Sequence, residues 1–89
     1  MDFEKYKPRL FDYLKSKGIS PVLGINRCFN PKHEDRNPSC LLTETFFHCY
    51  SAGCGITGDI YDAVEIMADI KDKKNQYLLL EKLFPEAKQ

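Results

Sequence analysis

Four cysteines in a chain of 89 residues constrain its fold more than any other feature of the sequence. A domain this short buries only somewhat over ~60% of the surface its unfolded chain exposes. Domains of this size often need disulfides, a metal or a partner to hold them together. The opening stretch MDFEKYKPRL carries charges of both signs and lacks an apolar run, so no secretory signal is read there. Thiols kept reduced inside a cell bind metal more often than they pair. Spacing then favours a metal. Cys28 and His33 are separated by four residues, as are Cys49 and Cys54, with fifteen residues between the two pairs. Each pair offers two ligands from one turn. Together they supply the three thiolates and one imidazole of a closed tetrahedral zinc site. Pro31 in the first knuckle presets φ, and Gly53 and Gly55 around the second accept positive φ, as tight turns require. Four protein ligands leave no position for a reacting water, so one structural Zn2+ is expected.

Two other residues compete for these roles. Cys40 lies in the apolar stretch Ser39-Cys40-Leu41-Leu42, has no second ligand at knuckle spacing, and reads as a small buried hydrophobe. His48 directly precedes Cys49, and strand neighbours point to opposite faces, so it is not expected to reach the same ion.

The chain is one domain, 1–89, without repeats, and it is too small to enclose a deep catalytic cleft. Its longest aliphatic run, Leu78-Leu79-Leu80, is far below the ~20 apolar residues of a membrane span. A soluble, cytoplasmic protein without a membrane partner is expected. Thirteen basic and thirteen acidic groups cancel, but unevenly. Residues 1–36 hold eight basic and five acidic groups, 37–70 no basic and five acidic, and 71–89 five basic and three acidic. A strong nucleic-acid binder has an overall basic excess. Any such binding here is therefore local and weak.

Periodicity predicts helices around a short hairpin. Pro8 suits the first turn of a helix carrying Leu10, Phe11 and Leu14 and ending at Gly18. Ser20-Pro21 begins a connection toward the first knuckle. A hairpin over 39–50 has Leu41-Leu42 and Phe46-Phe47 as strand cores, with Glu44-Thr45 near the turn. Asp59 caps a helix carrying Ile60, Ala63, Val64 and Met67. A third helix runs from about Lys73 to Phe84 before Pro85. The fold class is α+β.

The residues Cys28…His33-Glu34-Asp35-Arg36-Asn37-Pro38-Ser39…Phe47-His48-Cys49…Cys54-Gly55…Gly58-Asp59-Ile60-Tyr61-Asp62 resemble the N-terminal zinc-binding domain of DnaG-type DNA primases. Ligand order, a Pro-Ser segment after the His, an aromatic-His-Cys segment and a Gly-rich exit into a helix carry the resemblance, over about residues 25–68. Common members have two residues inside each knuckle where this chain has four, and an aromatic residue where it has Cys40. Those departures suggest a phage, plasmid or transposon branch of that family. The resemblance implies a zinc ribbon: a small antiparallel sheet with the metal at one end and flanking helices. It also implies a chain that is the N-terminal part of a longer primase, or acts beside one. Such a module binds single-stranded DNA template for a separate catalytic core, in cis or in trans, with a helicase as a further partner. The chain alone would not be an enzyme.

A template surface is expected around the knuckles. Arg27, Lys32 and Arg36 would hold phosphates, and Phe46 or Phe47 with Tyr50 would stack on bases, the usual physics of single-strand binding. Alternation turns one of Phe46 and Phe47 into the core. The competing function class is a zinc-stabilised adaptor that docks its acidic helix 59–69 on a protein.

Overall fold

The computed structural model describes residues 2–31 and 38–85. Lys32, His33 and Arg36 lie outside them, so three of the residues singled out above have no structural account.

Aspartate caps start two of the helices among the described residues, and a proline turn precedes the other. Pro8 sits in a 3-10 turn, Lys7–Arg9, that feeds helix α1, Leu10–Ser16. Gly18, at φ +82°, stops it in a conformation that costs a Cβ-bearing residue more. Helix α2, Ile60–Ala68, starts at a reciprocal box. The Asp59 carboxylate accepts from the Tyr61 and Asp62 amides at 3.0 and 3.4 Å, while the Asp62 carboxylate accepts from the Asp59 amide at 2.9 Å. Three amide groups without helical partners are satisfied in this way. Helix α3, Lys73–Leu83, is capped by Asp72, which accepts from the Asn75 amide at 3.2 Å. Among the described residues no helix is long and apolar enough to cross a membrane.

Among the described residues, four short strands make one antiparallel sheet in chain order: β1 (Gly24–Asn26), β2 (Cys40–Leu42), β3 (Phe47–Cys49) and β4 (Thr57–Gly58). The expected hairpin is β2–β3, with Leu42 opposite Phe47 and Cys40 opposite Cys49. The outer strands were not expected. The sequence predicts a connection after Ser20-Pro21 and no strand in the Gly-rich exit. Two or three residues with a glycine in each carry no alternation to read, and pairing with β2 and β3 makes them strands.

One face of this sheet is core and the other is not. Cys40, Leu42, Phe47 and Cys49 point inward and are buried. Leu10, Tyr13, Leu14, Ile60, Ala63, Val64 and Leu80 complete the core from the helices. Aromatic edges tie the N-terminal segment to α2 and α3. Phe3 meets Tyr61 and Tyr77 at 5.5 Å between ring centroids, Tyr6 meets Tyr77 at 5.2 Å, and the Tyr61 hydroxyl donates to the Phe3 carbonyl at 2.8 Å. The result is α+β, a small antiparallel sheet with flanking helices, compatible with a zinc-ribbon-like fold.

Gly58 joins β4 to the α2 box. Its φ is +148°, and a Cβ there would fall inside the Asp62 carboxylate that closes the box. Gly58→Ala should therefore lower unfolding free energy by about 1–3 kcal/mol, the usual cost of a strained non-glycine backbone. Chemical denaturation of the two proteins checks this; equal midpoints would show that the box tolerates a side chain.

Candidate metal centre

Three points of the chain bring sulfur to one end of the sheet. Cys28 follows β1 by two residues and Cys49 is the last residue of β3. Cys54 closes a turn in which its amide donates to the Ser51 carbonyl at 3.2 Å. Gly53 and Gly55, at φ +84° and +65°, let the chain fold tightly on both sides of it. The Cys49 amide donates to the Ile56 carbonyl at 2.8 Å, which returns the chain to the sheet just beyond the turn.

The Sγ atoms of Cys28, Cys49 and Cys54 all lie within 4.8 Å of one another, with Cys49 buried and the other two half-buried. Cys28 and Cys54 are 3.6 Å apart. Metal–sulfur bonds of about 2.3 Å at a tetrahedral centre place two sulfurs about 3.8 Å apart, so this spacing suits one ion. Thiolates are soft ligands, and three of them select a thiophilic metal over magnesium or calcium. Three Cys residues thus form a centre that can hold a metal ion. Among the described residues the cluster ends there.

The sulfurs do not hold their protons alike. Burial pushes the Cys28 thiol well above its ordinary range, and the neighbouring Cys54 and Cys49 push it further, against one hydrogen bond from the Asn30 backbone. Burial also pushes Cys54 up, but hydrogen bonds from the Ile56 backbone, the Asn30 side chain, Cys28 and Cys49 outweigh it and hold the thiol at about 7. Without a cation, Cys28 keeps its proton, because a second thiolate beside Cys54 would be repelled. A metal ion displaces that proton.

Both competitors behave as their positions predicted. Cys40 is fully buried opposite Cys49, and its sulfur does not join the cluster. His48 turns the other way. It stands in a row across the outward face of the sheet, Ile25–Leu41–His48–Thr57, and its ring meets the edge of Tyr50 at 4.4 Å.

That outward face separates the expected base-stacking residues. Tyr50 and Phe46 are 66% and 44% exposed and flank His48 at the same strand parity. Phe47 is fully buried, packed edge-on against Phe29 at 4.9 Å. Phe47 as a nucleic-acid contact is therefore corrected: it is a core residue beneath the first knuckle. Arg27, between β1 and Cys28, is exposed at the metal end of the sheet. Two features escaped the sequence reading. One is the membership of Ile25 in the outward row, which depends on the unforeseen β1. The other is polar contact with sulfur. The Asn30 side-chain amide donates to Cys54 Sγ at 3.8 Å, and Ser39 Oγ lies 3.7 Å from Cys49 Sγ. Ser39 had a signal in the Pro-Ser segment, and Asn30 had none.

Compared with known proteins, the chain matches no family model, no curated protein and no solved structure.

The centre should take up one thiophilic metal ion per chain. Cys28→Ser, Cys49→Ser and Cys54→Ser should each abolish tight binding, whereas Cys40→Ser should keep the metal. Because Cys28 stays protonated well above neutral pH in the metal-free protein, uptake must expel its proton, and affinity should rise as pH rises through neutrality. Calorimetric titration in buffers of different ionisation enthalpy measures both quantities. Equal metal loss in the Cys40 and Cys49 variants, or uptake without proton release, would contradict the ligand set.

Proposed function

We propose that this domain is a structural zinc module that presents the outward face of its sheet to single-stranded DNA template, supporting primer synthesis by a separate catalytic core. The zinc is held by Cys28, Cys49 and Cys54, with His33 as the fourth ligand. Three thiolates and one imidazole suit zinc and close its coordination, which leaves the metal a structural and not a catalytic role. The observation that carries the nucleic-acid reading is the pair of exposed rings on the outward side of β3, with Tyr50 at the metal end, where Arg27 is also exposed, and Phe46 at the hairpin end. Rings on a solvent-facing sheet stack on bases, and cations beside them neutralise phosphates. The resemblance to the zinc-binding domain of DnaG-type primases gives this chemistry its setting.

The contact is weak by design of charge. Arg27, Lys32 and Arg36 are the basic groups of the patch, while residues 37–70 carry five acids and no Lys or Arg. Three neutralised phosphates give a salt slope of about −2 on a single strand. Tyr50→Ala should weaken oligonucleotide binding by about 1–3 kcal/mol, and Arg27→Ala should flatten the slope, both without loss of zinc. Fluorescence anisotropy of a short labelled strand at several salt concentrations tests this. Identical titrations of wild type and variants, or no binding at low salt, would remove the template face.

Catalysis belongs elsewhere in this reading. Phosphoryl transfer needs metal ions positioned on the phosphates, which a closed zinc cannot supply. The 89 residues alone should make no primer from template and nucleotides; template-dependent product from the purified domain would refute the non-catalytic role.

A second reading has its own observation. Val22, Leu23 and Ile25 are exposed aliphatic residues at the open β1 edge of the sheet. Aliphatic groups do not stack on bases, and such patches commonly mark protein contacts. If the anisotropy experiment shows no strand binding, the adaptor reading takes over, with this edge as its contact. The place to look would then be β1 and not the acidic helix 59–69.

A further inference from the structure

We propose that Asn30 and Ser39 are positioning residues of the metal centre, whose hydrogen bonds hold the sulfurs of Cys54 and Cys49 in place and blunt their reactivity. This inference rests on the metal reading of the three cysteines, and it is independent of nucleic-acid binding.

Each sulfur has a polar neighbour of its own. Cys28 accepts from the Asn30 backbone amide. Cys54 accepts from the Ile56 backbone amide and, at 3.8 Å, from the Asn30 side chain. Cys49 has Ser39 Oγ at 3.7 Å. A thiolate has no proton to give, so once the metal is bound the Ser39 hydroxyl must be the donor. Asn30 therefore serves two ligands from opposite knuckles, one through its backbone and one through its side chain.

Ser39 is held where this role needs it. Its amide donates to the Asn26 carbonyl at 3.1 Å and its carbonyl accepts from the Tyr50 amide at 2.9 Å. The residue is thus clamped between the chain leaving β1 and the chain leaving β3, one position before β2. Its hydroxyl can reach Cys49 without adjustment of the backbone.

Charge explains why such donors matter. A divalent ion with three thiolates and a neutral imidazole leaves one net negative charge at a half-buried site. Hydrogen bonds to sulfur spread that charge and lower the electron density available to an electrophile. Neighbours of this kind, one shell outside the ligands, typically contribute 10–100-fold in metal affinity. The short polar residues at positions 30 and 39 then have a chemical reason beyond turn formation.

The test uses the zinc-loaded chain and its cobalt-substituted form, without any oligonucleotide. Asn30→Ala keeps the backbone donor to Cys28 and removes only the donor to Cys54. Ser39→Ala removes the hydroxyl, and Ser39→Thr restores it in a residue that strands accept. Zinc Kd from competition with a chromophoric chelator should rise about 10–100-fold in each alanine variant. Iodoacetamide should release zinc faster from both, and the thiolate-to-cobalt charge-transfer band should move to longer wavelength. Ser39→Thr should return all three readouts toward wild type. Alanine variants with wild-type Kd, release rate and band position would overturn the positioning role while leaving the centre intact. A wild-type chain that binds neither zinc nor cobalt would overturn the centre and this proposal together. A broad loss of helical signal in Ser39→Ala that Ser39→Thr does not correct would also count against it, because it would assign the residue to folding alone.

Discussion

The convergence of three sulfurs within 4.8 Å at one end of the sheet is the constraint on which the architecture depends. The strands are two or three residues long, and isolated pairs of that length are unstable in water. What fixes their ends is the knuckle region. Cys28 ends the chain leaving β1, Cys49 ends β3, and Cys54 closes the turn that leads to β4. A metal ion bound at those points would tie the sheet's loops together across 26 residues of sequence. Metal binding of this kind supplies folding free energy directly, on the order of 10 kcal/mol in the smallest zinc domains. The helices and their aromatic contacts supply the rest of the core, on the face opposite the exposed rings.

Much of this was legible in the residues because the physics was local. The α2 helix follows from Asp59 and from apolar spacing, and the carboxylate of Asp59 does cap it. Knuckle turns follow from glycines flanking Cys54, and both adopt positive φ. The opposed directions of His48 and Cys49 follow from strand alternation alone. What was not legible depended on partners distant in sequence. Gly24–Asn26 becomes a strand only because Leu41 and its neighbours lie alongside. The choice between Phe46 and Phe47 could not be made from two adjacent phenylalanines. It was settled by Phe29, an aromatic from the first knuckle that packs against Phe47 and takes it into the core.

The same alternation divides the labour of β3. Phe47 and Cys49 face inward, one into the core and one to the metal centre, while Phe46, His48 and Tyr50 belong to the outward face. Stability and surface chemistry thus occupy opposite sides of one strand. Substitutions on the outward side cost folding little, and the inward side has no such freedom. Gly58 marks the boundary at the other edge, where the chain leaves β4 and enters the α2 box without room for a side chain.

Under the proposed function, this division gives a structural metal a direct part in recognition. Tyr50 is one residue beyond Cys49, and its amide is held by the Ser39 carbonyl at 2.9 Å. Ser39 in turn reaches the Cys49 sulfur. The exposed ring, the ligand and the residue that positions the ligand therefore share one short network of backbone and side-chain contacts. A ring stacks well only if its orientation is set before the base arrives, because ordering it during binding costs conformational entropy. The metal fixes Cys49, Ser39 is fixed against the same sulfur, and Tyr50 is fixed against Ser39. A closed zinc with no chemistry of its own can in this way govern affinity for a strand that it never touches.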